Sequence, residues 1–193
     1  MPGQVPPVAD ERAGLLGYLA HQRYVLRLAA HGLTDEQARA TPTASALSVG
    51  GLLKHVASVE RGWMDAVSQR QPTDRRAADY QASFQLAENE TLADVLADFD
   101  RAGEETTEVI AGIADLNQPV PIDKSVPWNP KDVDAWSVRW VLLHLIEEIA
   151  RHAGHADIVR ESVDEATAYP LMAAVEGWPE TPWLTPWRPE SAT

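Results

Sequence analysis

Cysteine is absent from the chain, which excludes disulfides and any protein thiolate acting as nucleophile or metal ligand. If sulfur chemistry occurs here, the sulfur arrives on a small molecule. Basic charge is scarce as well: 16 Lys and Arg stand against 29 Asp and Glu, a net charge of −13. Binding to a phosphate backbone rests on cations that neutralise phosphates, so no nucleic-acid partner is expected. An anionic membrane surface is disfavoured on the same ground. Arg75-Arg76 is the only adjacent arginine pair. No apolar run approaches the roughly 20 residues of a membrane-spanning helix. The opening Met1-Pro2-Gly3-Gln4-Val5-Pro6-Pro7 lacks the charged, apolar and small-residue order of a signal peptide. The expected location is cytoplasmic. Internal repeats and strand-like alternation are missing too.

What is present is helical periodicity. The chain has 193 residues, 45% of them hydrophobic, enough for one well-cored domain over residues 1–193. Leu15, Leu16, Leu19, Leu26 and Leu28 recur at helical spacing and predict a helix over residues 10–30, with Gly32 just past its end. Thr34-Asp35-Glu36-Gln37 has the form of a capping box and predicts a short helical turn. A second long helix is expected from Ser48 to residue 69, with Leu52, Val56, Val59 and Trp63 on its buried stripe. Gly50, Gly51 and Gly62 each weaken that helix by their propensity. Residues 70–90 are polar and loop-like.

The third long helix follows a cap at Thr91 with Asp94, and Leu92, Val95, Leu96, Phe99, Thr106, Val109, Ile110 and Ile113 mark its stripe. Four prolines make 114–135 an extended connection. The fourth helix is expected from Ser137 as cap to residue 163. Beyond it, a Pro- and Trp-rich tail over 166–193 predicts an irregular strap whose tryptophans pack on the bundle. The fold class is therefore all-α, a four-helix bundle with a core over about residues 9–165.

The informative stretch is His144-Leu145-Ile146-Glu147-Glu148-Ile149-Ala150-Arg151-His152-Ala153-Gly154-His155. At about 100° per residue, with His144 at zero, Glu148 falls near 40°, His152 near 80° and His155 near 20°. Four metal-competent side chains share one stripe of one helix. Glu148 and His152 are four residues apart, the spacing at which adjacent turns reach one ion. One helix cannot surround an ion. The second helix offers His55 on the side of Leu52, Val59 and Trp63, where a polar group needs a partner. His55, Glu148 and His152 are thus the candidate metal ligands. Two His and one Glu leave zinc a fourth position open. The bland alternatives are a hydrogen-bonded core histidine at 55 and a helical ion pair at 148 and 152. His21 and His31 read as surface or satisfied residues, and Glu60 and Glu147 as surface charges. Trp63, Trp136 and Trp140 wall a pocket or belong to the core.

The stretch 47–60, ending its apolar run around His55, resembles the second helix of the DinB-like metalloprotein superfamily, which carries the first metal histidine. The stretch 140–161 is similar to its fourth helix. Most members have His-x-x-x-His there; this chain has Glu148 in the first place, His152 in the second, and Ala153-Gly154-His155 after them. A Glu in that place resembles the branch of mycothiol-dependent maleylpyruvate isomerase and related thiol S-transferases. His144 remains the competitor of Glu148 as ligand, and His144 or His155 could orient one. The resemblance implies a divalent metal ion, zinc in the first instance, and a low-molecular-weight thiol such as mycothiol as co-substrate. The thiol would be activated at the metal for attack on an electrophilic small-molecule substrate. The three ligands would position the metal and none would be the nucleophile. The chain lacks the isomerase's additional C-terminal domain, so S-transfer is the expected reaction. The alternative is a non-catalytic metal-binding bundle with a structural or ligand-sensing role. Bundles of this size commonly pair, which leaves a homodimer open.

Overall fold

A computed structural model describes residues 3–70 and 80–189. The arginine pair at 75 and 76 and the polar run 71–79 lie outside the described residues. Each long helix starts where the sequence places a side-chain cap. Helix α1 (Glu11–Ala29) opens on Asp10, which accepts the Ala13 N–H at 2.8 Å. Thr34 and Gln37 close a capping box on the short α2 (Asp35–Arg39). Ser48 caps α3 (Val49–Val67), whose last turn gives way to Gln69 at φ 51°. A short α4 (Tyr80–Ser83) precedes α5 (Leu92–Ala111), which carries the Thr91–Asp94 capping box. Ser137 caps α6 (Val138–Asp164), and Thr167 precedes α7 (Ala168–Glu176). These caps satisfy amide groups that a helix start leaves without partners.

Helices α1, α3, α5 and α6 form the bundle, with α1 along α6, α3 along α5, and α3 also against α6. Side-chain pairs give the directions. Arg139 meets Glu11 where α6 and α1 both begin, and Arg160 donates to the Ala29 and His31 carbonyls where α1 ends. Helices α1 and α6 are therefore parallel. Lys54 pairs with Glu90, and Arg61 with Asp98, so α3 and α5 are parallel too. His55 meets Glu148 while Trp63 meets Trp140, which makes α3 and α6 antiparallel. Two consecutive parallel helices need a connection that returns along the bundle. The described part of that connection, 80–91, lies against α3.

One core is shared by all four helices, with Leu19 and Leu26, Leu52 and Val56, Phe99 and Ile110, and Leu142, Leu145 and Ile149 fully or almost fully buried. Among the described residues no helix is long and apolar enough to cross a membrane. Four expectations need correction. The connection 114–135 is not extended throughout: its β1 (Pro119–Pro121) pairs antiparallel with β2 (Ala135–Ser137), which runs into the start of α6, with Val120 opposite Trp136. Three-residue strands are too short to display alternation. The tail is not irregular throughout, because α7 holds Pro170 in its first turn, where the missing amide hydrogen costs nothing. Nor do all its tryptophans pack: Trp183 is 78% exposed. Trp187 does pack, its ring 5.0 Å from the fully buried Arg160 guanidinium. It fills the space where a side chain on Gly32, at φ 73°, would stand.

Glu60, expected at the surface, is fully buried. Arg23 donates to both its carboxylate oxygens and Thr106 Oγ1 donates to it at 2.8 Å. A buried carboxylate persists only when paired in this way. Glu147 is exposed as expected, with 78% of its side chain accessible.

Candidate metal centre

The antiparallel contact of α3 with α6 brings the two predicted helix faces together. Glu148 Oε1 lies 3.1 Å from His152 Nε2 and 3.4 Å from His55 Nε2. One donor atom from each of the three residues falls within 4.8 Å of the others. Ligand atoms at about 2.05 Å from a tetrahedral zinc sit about 3.4 Å apart, so two edges of the required figure are already close to size. Among the described residues this is the one group of His, Cys, Asp and Glu so arranged. His55 and His152 are buried, with 2% and 8% of their surfaces exposed, and Glu148 is partly buried. Hydrogen bonds from His152 and then His55 hold the Glu148 carboxyl well below the usual carboxylate range, against the opposing effect of burial. Glu148 is therefore a carboxylate at neutral pH. A donor set of two imidazole nitrogens and a carboxylate oxygen suits a borderline divalent ion.

The neighbouring connection completes the surround. Ser83 Oγ is 2.9 Å from His55 Nδ1, and the Phe84 ring stacks on the imidazole at 3.8 Å between centroids. An Nδ1 engaged this way leaves Nε2 pointing at Glu148 and holds the ring orientation. Neither residue was anticipated from the sequence. They sit 28 positions and more from His55 in a polar stretch without periodicity, so no local signal marks them. What lets them approach is Gly51: a Cβ built there would stand 1.9 Å from the Phe84 carbonyl oxygen. Lys54 then holds the segment, donating to the Gln85 carbonyl at 2.9 Å and to Glu90 at 2.6 Å. Replacing Ser83 by Ala is expected to weaken zinc affinity by about 10–100-fold without unfolding the bundle. Competition with a chromophoric chelator measures this, and equal affinities would remove Ser83 from the site.

His144 does not join the three. Its ring stacks on Trp140 at 5.0 Å and meets the edge of Trp63 at 5.2 Å, with its Nδ1 3.8 Å from Glu147. His155 reaches only the His152 ring, at 5.6 Å, and its buried Nδ1 has no hydrogen-bond partner among the described residues. The expected orienting role belongs to neither residue by hydrogen bonding; Ser83 occupies that place. Trp63, Trp136 and Trp140 form one aromatic group, with Trp136 stacked on Trp140 at 4.7 Å and Trp63 5.3 Å from Trp136. Trp63 also lines a cavity of about 310 Å³ that has His55 and Ser83 at one end. A larger groove of about 640 Å³ runs between α1 and α5 and includes none of the three donors. Its arginines are already engaged, Arg23 by Glu60 and Arg27 by Asp100, so neither stands ready for an anionic ligand.

Comparisons bear on both fold and site. No curated protein matches the chain. A crystal structure described as a conserved protein of its locus from Enterococcus faecalis is similar in fold, with a TM-score of 0.62 at 15% identity. The similarity covers 81% of this chain and 98% of that one. A family model described as mycothiol S-transferase matches residues 14–165. That span takes in nearly all of α1, the whole of α3, α5 and α6, and every residue of the His55–Glu148–His152 cluster. The chain thus belongs to the mycothiol S-transferase family, with the helical bundle of DinB-like proteins.

Proposed function

We propose that the chain is a metal-dependent thiol S-transferase, with His55, Glu148 and His152 holding a divalent cation, zinc in the first instance. The observation that carries this reading is the convergence of three metal-competent donors at near-tetrahedral spacing on two buried helix faces. When bound, zinc supplies Lewis acidity that keeps a coordinating low-molecular-weight thiol, mycothiol or an analogue, as its thiolate for attack on an electrophile.

The chain's own residues supply position and exclusion. His55 and His152 present Nε2, and Ser83 fixes the first of these through Nδ1. Glu148 contributes a carboxylate, held ionised by its two histidine neighbours. Phe84 covers one face of His55 and keeps water from it. Three protein donors would leave a bound ion accessible to an exogenous sulfur, whereas a purely structural site normally has four. The absence of cysteine fits a reaction whose sulfur is brought in by the co-substrate.

Metal removal tests the reading directly. Wild-type protein purified with its metal is expected to conjugate a thiol to 1-chloro-2,4-dinitrobenzene. Dialysis against a chelator is expected to abolish the rate, and zinc to restore it. Mycothiol, glutathione and cysteine are compared as donors. Bound zinc with no dependence of the rate on any thiol would retain the site and defeat the transferase reading.

A further inference from the structure

Helix α3 carries more than a ligand. Val59, Gly62, Trp63 and Ala66 follow His55 at intervals of four, seven, eight and eleven residues, so they share its face over the next three turns. With Ser83 they line the cavity of about 310 Å³ that begins at the candidate ligand. Seven residues of helix rise about 10 Å, which places Gly62 roughly the length of an aromatic ring and a bond or two from His55. Among the described residues His55 is the one titratable side chain on that lining, beside the hydroxyls of Ser58 and Ser83. A charged group lodged there would lose water without gaining a counter-charge, whereas a flat apolar group would meet the Trp63 face.

Gly62 has no structural reason to be glycine. It stands in the middle of α3 with helical backbone, absent from the positive-φ positions, where glycine costs about 1 kcal/mol relative to alanine. Among the described residues no other segment needs the space, because a Cβ built there meets nothing within 4 Å. Gly51, in contrast, is required by the Phe84 backbone. Gly62 is exposed, at the outer part of the lining, where any larger side chain would narrow the approach to His55.

We propose that this cavity takes the uncharged apolar group, aromatic or branched alkyl, of the electrophilic substrate, and that Gly62 sets the largest size admitted. The proposal rests on the transferase reading for its substrate but not for its binding test. Zinc-loaded wild-type protein and the Gly62→Ala and Gly62→Leu variants are titrated with 1,3-dinitrobenzene, an unreactive aromatic, and binding is read as quenching of tryptophan emission. The dissociation constant is expected to rise about tenfold for Gly62→Leu and by less for Gly62→Ala. Zinc content and melting temperature, measured alongside, are expected not to fall. The ratio of kcat/KM for 1-chloro-2,4-dinitrobenzene to that for iodoacetamide is expected to drop about tenfold in Gly62→Leu. Equal dinitrobenzene affinity in wild type and Gly62→Leu, or no binding by the wild type, overturns the proposal whatever the conjugation rates show. Weakened binding in variants of a protein that conjugates no thiol retains the cavity assignment and sinks the transferase reading instead. Should Gly62→Leu fail to fold, Gly62→Ala decides by the direction of the same shift.

Discussion

Alanine at His55, Glu148 or His152 is expected to lower the affinity of the protein for zinc by more than about 100-fold, beyond the range typical of residues that only orient a ligand. Each substitution removes one of three donors, and the described residues hold no fourth within the same reach. The three variants should differ in the metal-free protein. Glu148 accepts from both histidines, at 3.1 and 3.4 Å, so its loss leaves two buried imidazoles facing each other without their shared acceptor. His152→Ala leaves the His55–Glu148 contact in place. Zinc binding also stabilises the folded state by mass action, by about 2.7 kcal/mol when free zinc is 100 times its dissociation constant. The wild type should therefore melt higher with zinc, and all three variants should lose that increment. His144→Ala serves as the discriminating control. Its ring belongs to the Trp63–Trp140 group, so zinc stoichiometry should stay at wild-type level. Loss of zinc from His144→Ala with retention in Glu148→Ala would reverse the ligand assignment.

That contrast between 144 and 148 bears on what a sequence can disclose. Both residues lie on one stripe of α6, and helical angle alone favours neither. The four-residue spacing to His152 and the resemblance to a known helix pointed to Glu148, which lies within 3.4 Å of both His55 and His152. Helix starts were legible because capping is local: Ser48, Thr91 and Ser137 each accept an amide three residues on. Long-range features were not. Glu60 reads as a surface charge in isolation, because its partners Arg23 and Thr106 are 37 and 46 positions away. Ser83 is invisible for the same reason. The strands β1 and β2 are set by their pairing and by the start of α6, not by any pattern within three residues. Proline in the tail suggested irregular chain, yet Pro170 falls in the first turn of α7, where a helix tolerates it.

The glycines of α3 are the place where sequence propensity and structure part most sharply, and Gly51→Ala should show it. By propensity, Gly50, Gly51 and Gly62 are three equal costs and alanine improves each of them. By contact they differ. A Cβ at 62 meets no described atom within 4 Å; at 50 it meets the end of the flexible Leu86 side chain at 2.7 Å and the Ala38 carbonyl oxygen at 3.0 Å. At 51 it would stand 1.9 Å from the Phe84 oxygen and 2.7 Å from the Phe84 carbonyl carbon, both backbone atoms. Backbone cannot rotate aside, and the segment is tethered beyond Phe84 by Lys54 to the Gln85 carbonyl and Glu90. Gly51→Ala is therefore expected to destabilise the fold by about 3 kcal/mol, the upper part of the range for overpacking, or roughly 6–12 °C in melting temperature at this chain length. Gly62→Ala should instead gain up to about 1 kcal/mol. The relief open to the Gly51 variant is to move residues 83–86 off α3, which would withdraw Ser83 Oγ from His55 Nδ1. Zinc affinity should then fall at least as far as in Ser83→Ala, although position 51 touches no donor atom. A Gly51→Ala protein with wild-type melting temperature and wild-type zinc affinity would show that the connection does not rest on α3 as described, and the link from a helix glycine to the orientation of His55 would be lost.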